Sequence, residues 1–169
     1  TGAALDFGTG DFSIEAWVST RARNAWQPIV SNGSRGRGHG VFSLAIRPEN
    51  YLAATYDWNR PDDGAHQYTG RGAELLVRPI NDGRWHHVAA VVDREHHRGI
   101  PRLYVDGRDA ALGSTSSSGG AKDIRITNAD PLFVGADSPK PSRFFKGSID
   151  EVRIYKRALT AAEVRDRYE

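Results

Sequence analysis

From Asp11 to Tyr155 the chain is a succession of short stretches in which apolar and polar residues alternate, with turn residues between nearly all of them. Alternation of period two places successive side chains on opposite faces of a strand, and strands this short and this numerous pack as two antiparallel sheets. The stretches 11–20, 28–32, 40–47, 51–57, 74–78, 84–93, 101–106, 108–112, 123–127, 131–136 and 145–155 read as strands. Asp106-Gly107, between Arg102-Leu103-Tyr104-Val105 and Arg108-Asp109-Ala110-Ala111, predicts a tight type I′ hairpin, which requires positive φ at two successive residues. Asn81-Asp82-Gly83 predicts a similar turn before Trp85, and the Gly/Ser-rich stretch 113–120 predicts a flexible loop without a binding role. The single helix signal is terminal. Thr160 as N-cap with Glu163 three residues on is a capping box, Leu159 against Val164 is the hydrophobic staple, and Val164 and Tyr168 are the expected packing residues.

A chain of 169 residues can bury about 70% of its unfolded surface, so the absence of cysteine costs it no core. It also leaves the redox compartment unassigned. No run of 18 apolar residues is present to span a membrane. The chain starts Thr1-Gly2 and contains no methionine, which reads as one domain, 1–169, excised from a longer polypeptide. Its 23 basic residues are dispersed against 21 acids, for a net charge of +2, and this excludes the clustered basic face of a nucleic-acid binder. Only four of the basic residues are lysine, and arginine forks suit carboxylates and sulfates, so acidic partners fit.

Chemistry concentrates in the longer loops. Residues 21–27 with 31–39 supply Trp26, Asn32, Arg35, Arg37 and His39; residues 57–72 supply Trp58, Arg60, Asp62, Asp63, His66 and Tyr68; residues 94–99 supply Glu95, His96 and His97. Trp26 and Trp58 lie in polar stretches where no strand periodicity explains them. An indole there suits the C–H face of a sugar ring, or else anchors its own loop on the sandwich. The expected ligand set is Trp26, Tyr56, Trp58, Arg60, Asp62, His66 and Tyr68. Trp17 shares a strand face with Ser13 and Glu15 and is expected to pack under a loop, and Trp85 is expected to be buried. Asp57, Asn59, Asp62 and Asp63 read as an acidic turn, and His86 and His87, adjacent on a strand, cannot readily share one ion. Glu15 stands alone, with no second acid alternating beside it, and no nucleophile triad is visible. Asp150 falls in phase with Ser148, Val152 and Ile154, so an acid is expected in line with the core. It must there hold a metal, pair with an arginine, or accept backbone N–H groups.

Three segments taken together resemble the laminin G-like domains of the concanavalin A-like lectin/glucanase superfamily. They are Leu5 to Val18, then Trp85 to Asp93 with Leu103-Tyr104-Val105-Asp106-Gly107, then Gly147 to Tyr155 with the capped helix. The resemblance implies an all-β fold, a two-sheet antiparallel jelly-roll sandwich with a short C-terminal helix. It implies a possible calcium ion as cofactor, with Asp150 as its surviving protein ligand, because relatives carry a further strand before the Leu5 segment that often supplies other ligands. The function expected is a non-catalytic carbohydrate-binding module, extracellular or at the cell surface, taking a polysaccharide or glycoconjugate. The alternative is an adhesion or assembly module that binds protein or itself, and the third reading is a glycan lyase or hydrolase.

Overall fold

The computed structural model describes residues 6–32, 40–59, 68–75, 79–97, 99–110, 112–117, 126, 131–137 and 143–169. They form two antiparallel sheets packed face to face, a jelly-roll sandwich closed by one C-terminal helix. The strands are β1 (Phe12–Thr20), β2 (Gln27–Asn32), β3 (Gly40–Ile46), β4 (Leu52–Asn59), β5 (Tyr68–Leu75), β6 (Trp85–Val92), β7 (Arg102–Val105), β8 (Arg108–Asp109), β9 (Leu112–Ser117), β10 (Leu132–Val134) and β11 (Gly147–Tyr155), followed by α1 (Ala161–Tyr168). One sheet has the order β11-β1-β6-β7-β8, and the other has the order β10-β2-β3-β4-β5-β9.

The core forms where the inward residues of the two sheets meet. Ile14, Ala16, Val18, Val88, Ala90 and Leu103 come from one sheet, and Val30, Phe42, Leu44, Leu52, Ala54 and Tyr56 from the other. Phe7 stacks on Phe12 at 4.8 Å, and Tyr56 meets Phe12 edge-on at 5.6 Å, which closes one end of the core with aromatic edges. The Asp106-Gly107 turn is as expected, with φ of 51° and 68°. The Asp106 carboxylate secures it to β6 by accepting the His87 N–H at 3.1 Å.

Two stretches expected as loops are strands. Residues 68–72 open β5, which pairs with β4 from Asn59↔Tyr68 to Ala53↔Glu74. The Gly/Ser stretch after Leu112 forms β9, paired to β5 from Arg71↔Ser117 to Leu75↔Leu112. Ladder hydrogen bonds need only backbone, so a partner strand at the sheet margin overrides a composition that favours coil.

The helix begins as its residues dictate. The Thr160 hydroxyl accepts the Glu163 N–H at 3.2 Å, and the Glu163 carboxylate accepts the Thr160 N–H at 2.8 Å, completing the capping box. Its apolar residues do not enter the main core. Leu159 and Val164 pack on Ala89, Val91 and Tyr104, on the outer face of the five-stranded sheet.

β11 departs from the regular strand expected. Opposite β1 its register runs Glu15↔Arg153 and then Trp17↔Asp150, so one extra residue is accommodated between them, and Glu151 takes φ 50°. This bulge reverses the phase of the strand. Ile149, Val152 and Ile154 all pack against the core, and Asp150 is exposed instead of lying in line with them.

Candidate functional site

The outward face of the six-stranded sheet is built from small residues. Between the inward residues of β2, β3 and β4 stand Ser31, Ser43 and Thr55, directly paired across the strands, and the row continues at Gly72 of β5 and Ser116 of β9. Phe133 of β10 lies opposite Ser31 at the other margin. Ser43 and Thr55 are half-buried and Ser31 is buried, so the middle of the row offers hydroxyl donors and acceptors at the sheet surface. Ser31 is already committed, its hydroxyl donating to the Ala136 carbonyl at 2.9 Å.

At one end of this face lies Trp26, half-buried, with the Arg47 and Arg143 guanidinium carbons each 5.5 Å from its ring centre. Arg47 reaches Glu49 at 3.6 Å, and Arg143 reaches Asp137 at 4.0 Å. An indole flanked by two guanidinium groups combines a surface for C–H stacking with charge-assisted donors for an anion.

The expected ligand residues do not form one cluster. Trp26 precedes the row Gln27–Ile46–Leu52, whereas Trp58 lies in the row Gly40–Trp58–Thr69 at the opposite end of the same strands. About six residues of strand separate these rows, or roughly 20 Å, so the two strand positions are too far apart to serve one short glycan. Tyr68 lies beside the Trp58 end, opposite Asn59, and Arg60, Asp62 and His66 fall outside the described residues. Tyr56 belongs to the core. It is 1% exposed, its hydroxyl donates to the Gly99 carbonyl, and the Arg94 guanidinium lies over its ring.

The outward face of the other sheet holds a different constellation. Glu15 and His87 are buried beneath α1, with Glu15 Oε2 3.6 Å from His87 Nε2. Glu15 Oε1 accepts from the Tyr155 hydroxyl at 2.8 Å and lies 3.5 Å from both Arg153 and Arg167. Burial pushes this carboxyl up, but the His87 and Tyr155 partners and the Arg167 charge outweigh it, and the group is held below the ordinary carboxylate range. Because Glu15 is fully enclosed, it does not face solvent as an acid or base for a substrate would. Trp17, expected to pack under a loop, is covered instead by the terminal helix, with Tyr168 stacked on the indole at 5.8 Å. Trp85, expected to be buried, is 48% exposed. It opens the central strand β6, opposite Ser19 at the end of the β1–β6 ladder, where no helix covers it.

The histidine pairs behave as strand geometry requires. His86 lies between Asp106 at 2.9 Å and Asp82 at 3.1 Å, on the face opposite His87, and His96 sits at an exposed turn on Asp93. Among the described residues no three His, Asp or Glu side chains gather as a metal would require. Asp150 has Glu151 beside it, and Glu151 is ion-paired with Arg153.

Sequence reasoning missed Ser31, Ser43, Thr55, Arg47 and Arg143. The alternation of Ser43 between Phe42 and Leu44, and of Thr55 between Ala54 and Tyr56, marks an outward polar face. The register that aligns them is a property of strand pairing and is not written in either strand alone.

This architecture defines a class, the lectin-like β-sandwich. The chain belongs to the Laminin_G_3 family of the concanavalin A-like lectin/glucanases superfamily, which matches residues 1–165. Over 112 residues it is 29% identical to the basement membrane-specific heparan sulfate proteoglycan core protein of Mus musculus, covering 65% of this chain and 2% of that protein's length. Its fold is similar to the IT-sialidase CBM40 of Ruminococcus gnavus, with TM-score 0.64 and 22% identity over 96% of this chain and 85% of the other. The same protein bound to α2,3-sialyllactose superposes with TM-score 0.62 at 20% identity, over the same shares of the two chains. The heptameric SAP-like pentraxin of Limulus polyphemus also shares the fold, with TM-score 0.62 and 14% identity over 94% of this chain and 70% of that one.

Proposed function

We propose that this domain is a non-catalytic carbohydrate-binding module of a secreted or cell-surface protein, and that it takes an acidic glycan on the outward face of the six-stranded sheet. The observation that carries the reading is Trp26 held between Arg47 and Arg143 at one end of the sheet, with the Ser43–Thr55 row about 10 Å further along the strands. The indole supplies the stacking surface, the guanidinium groups supply donors for a carboxylate or sulfate, and Ser43 and Thr55 supply hydroxyl partners. The similarity in fold to a module seen with sialyllactose, and the proteoglycan relative of the basement membrane, support an extracellular glycan ligand.

A glycan array carrying sialylated, uronate, sulfated and neutral members tests this. Binding confined to acidic members, lost in Trp26→Ala and weakened with a smaller salt dependence in Arg143→Ala, is the expected result. Binding that ignores charge, or that survives both substitutions, would remove the site. The proteoglycan relative also favours a second reading, an adhesion module with a protein partner. Absence of all glycan affinity together with concentration-dependent association would select it.

A further inference from the structure

The terminal helix leaves part of the outward face of the five-stranded sheet uncovered. There lies a cavity of about 330 Å³ lined by Trp17, Trp85, Asp150 and Glu151. Its volume is at the lower end of the range of small-ligand pockets, about 300–1,000 Å³, so it suits a ligand of one or two rings.

Strand register explains how these four side chains meet. Ser148, Ser19 and Trp85 form one row across β11, β1 and β6, and Asp150, Trp17 and His87 form a neighbouring row on the same face. In a regular strand Asp150 and Glu151 would point to opposite faces. The bulge, with Glu151 at φ 50°, instead brings both residues to the wall of one cavity. The Trp17 ring is steadied from two sides, by Tyr168 at 5.8 Å and His87 at 5.6 Å, whereas Trp85 stands free at the rim.

The charges in this cavity are unequal. Glu151 is ion-paired with Arg153, which lies behind it and also faces Glu15. Asp150 accepts the Glu151 N–H at 2.8 Å, and no cation pairs with it among the described residues. The cavity wall therefore combines an acid lacking a counter-charge with two indoles. A protonated amine on a carbon ring satisfies both, since the ammonium is drawn to the carboxylate and to the π faces while ring C–H groups lie on the indole. Anionic sugars are repelled by the same acids, and neutral sugars supply no counter-charge.

We infer that this cavity is a second glycan subsite, specific for an amino sugar with a free, protonated amine. It lies on the opposite side of the sandwich from Trp26 and does not depend on the acidic-glycan reading. Isothermal titration in mildly acidic buffer, comparing glucosamine trisaccharide, its fully N-acetylated counterpart and cellotriose, tests the inference directly. The free amine should bind about tenfold or more tighter than either control, a difference of about 1.4 kcal/mol. Trp85→Ala and Asp150→Asn should each weaken it about tenfold, and Trp26→Ala should leave it unchanged. Trp85 and Asp150 are exposed, so neither change threatens folding, and thermal melts verify this. Equal binding of the N-acetylated sugar, or indifference to Trp85→Ala, overturns the inference. Calcium titrated alone is the remaining arm: saturable binding that Asp150→Asn abolishes and that excludes the amine would make this a metal site and would also overturn it. Loss of acidic-glycan binding in Trp26→Ala with the amine site intact separates the two proposals.

Discussion

Glu15 lies on the strand face turned away from the core, yet it is among the most buried acids in the molecule, because α1 folds back over it. Its carboxyl titrates below its ordinary value of 4.5 in the folded protein. The native state therefore favours the ionised form, and the stabilisation is complete above about 4.5 and is lost as the pH falls through the folded value. Glu15→Gln should cost about 2 kcal/mol near neutrality, and chemical denaturation at decreasing pH should show the gap from wild type closing below 4.5. Gly147 is constrained by space. At φ 152° an added Cβ would come 2.1 Å from the Ser19 carbonyl oxygen, so Gly147→Ala should lose roughly 3 kcal/mol in denaturant melts through disrupted β1–β11 pairing. Neither effect is legible in the sequence. Single residues were misjudged where a distant element decided their surroundings, as for Trp85, or where one inserted residue reversed a phase, as for Asp150.

Elements were far more legible. The terminal helix follows from local signals alone, because an N-cap, its reciprocal glutamate and the staple lie within six residues. Thr160→Ala should lower stability by about 1 kcal/mol, measured by thermal or urea unfolding. The Glu163 carboxyl is held down to about 2, first by the Arg157 guanidinium and then by the Thr160 N–H. The cap should therefore persist in acid strong enough to protonate ordinary carboxylates, so the far-UV helix signal of wild type should outlast that of Arg157→Ala as pH falls. The Asp106-Gly107 hairpin was equally local. The strands β5 and β9 were obscured, because pairing makes them strands, β5 lying between β4 and β9. A Gly/Ser sequence carries no trace of a partner about forty residues away.

At the scale of the molecule, alternation and turn spacing were sufficient for the sandwich, while the arrangement of its binding surfaces was not. Trp26 and Trp58 look equivalent in the sequence because each interrupts a polar stretch, but the antiparallel path of β2 to β4 sends them to opposite ends of one sheet. The same limit hid the cavity beside Trp85, since it depends on an irregularity in β11. That irregularity has a further consequence for how copies of this domain meet. Among the described residues β11 is at the margin of its sheet, where a straight strand would offer a template to any extended chain. The out-of-step residue at Glu151, together with Asp150 and Arg153 exposed along the strand and Lys156 just beyond it, interrupts that template and surrounds it with charge. Sedimentation velocity at high concentration should find a monomer. Neighbouring copies strung along one polypeptide, whose effective concentration far exceeds that of free domains, would remain separate beads and not zip edge to edge.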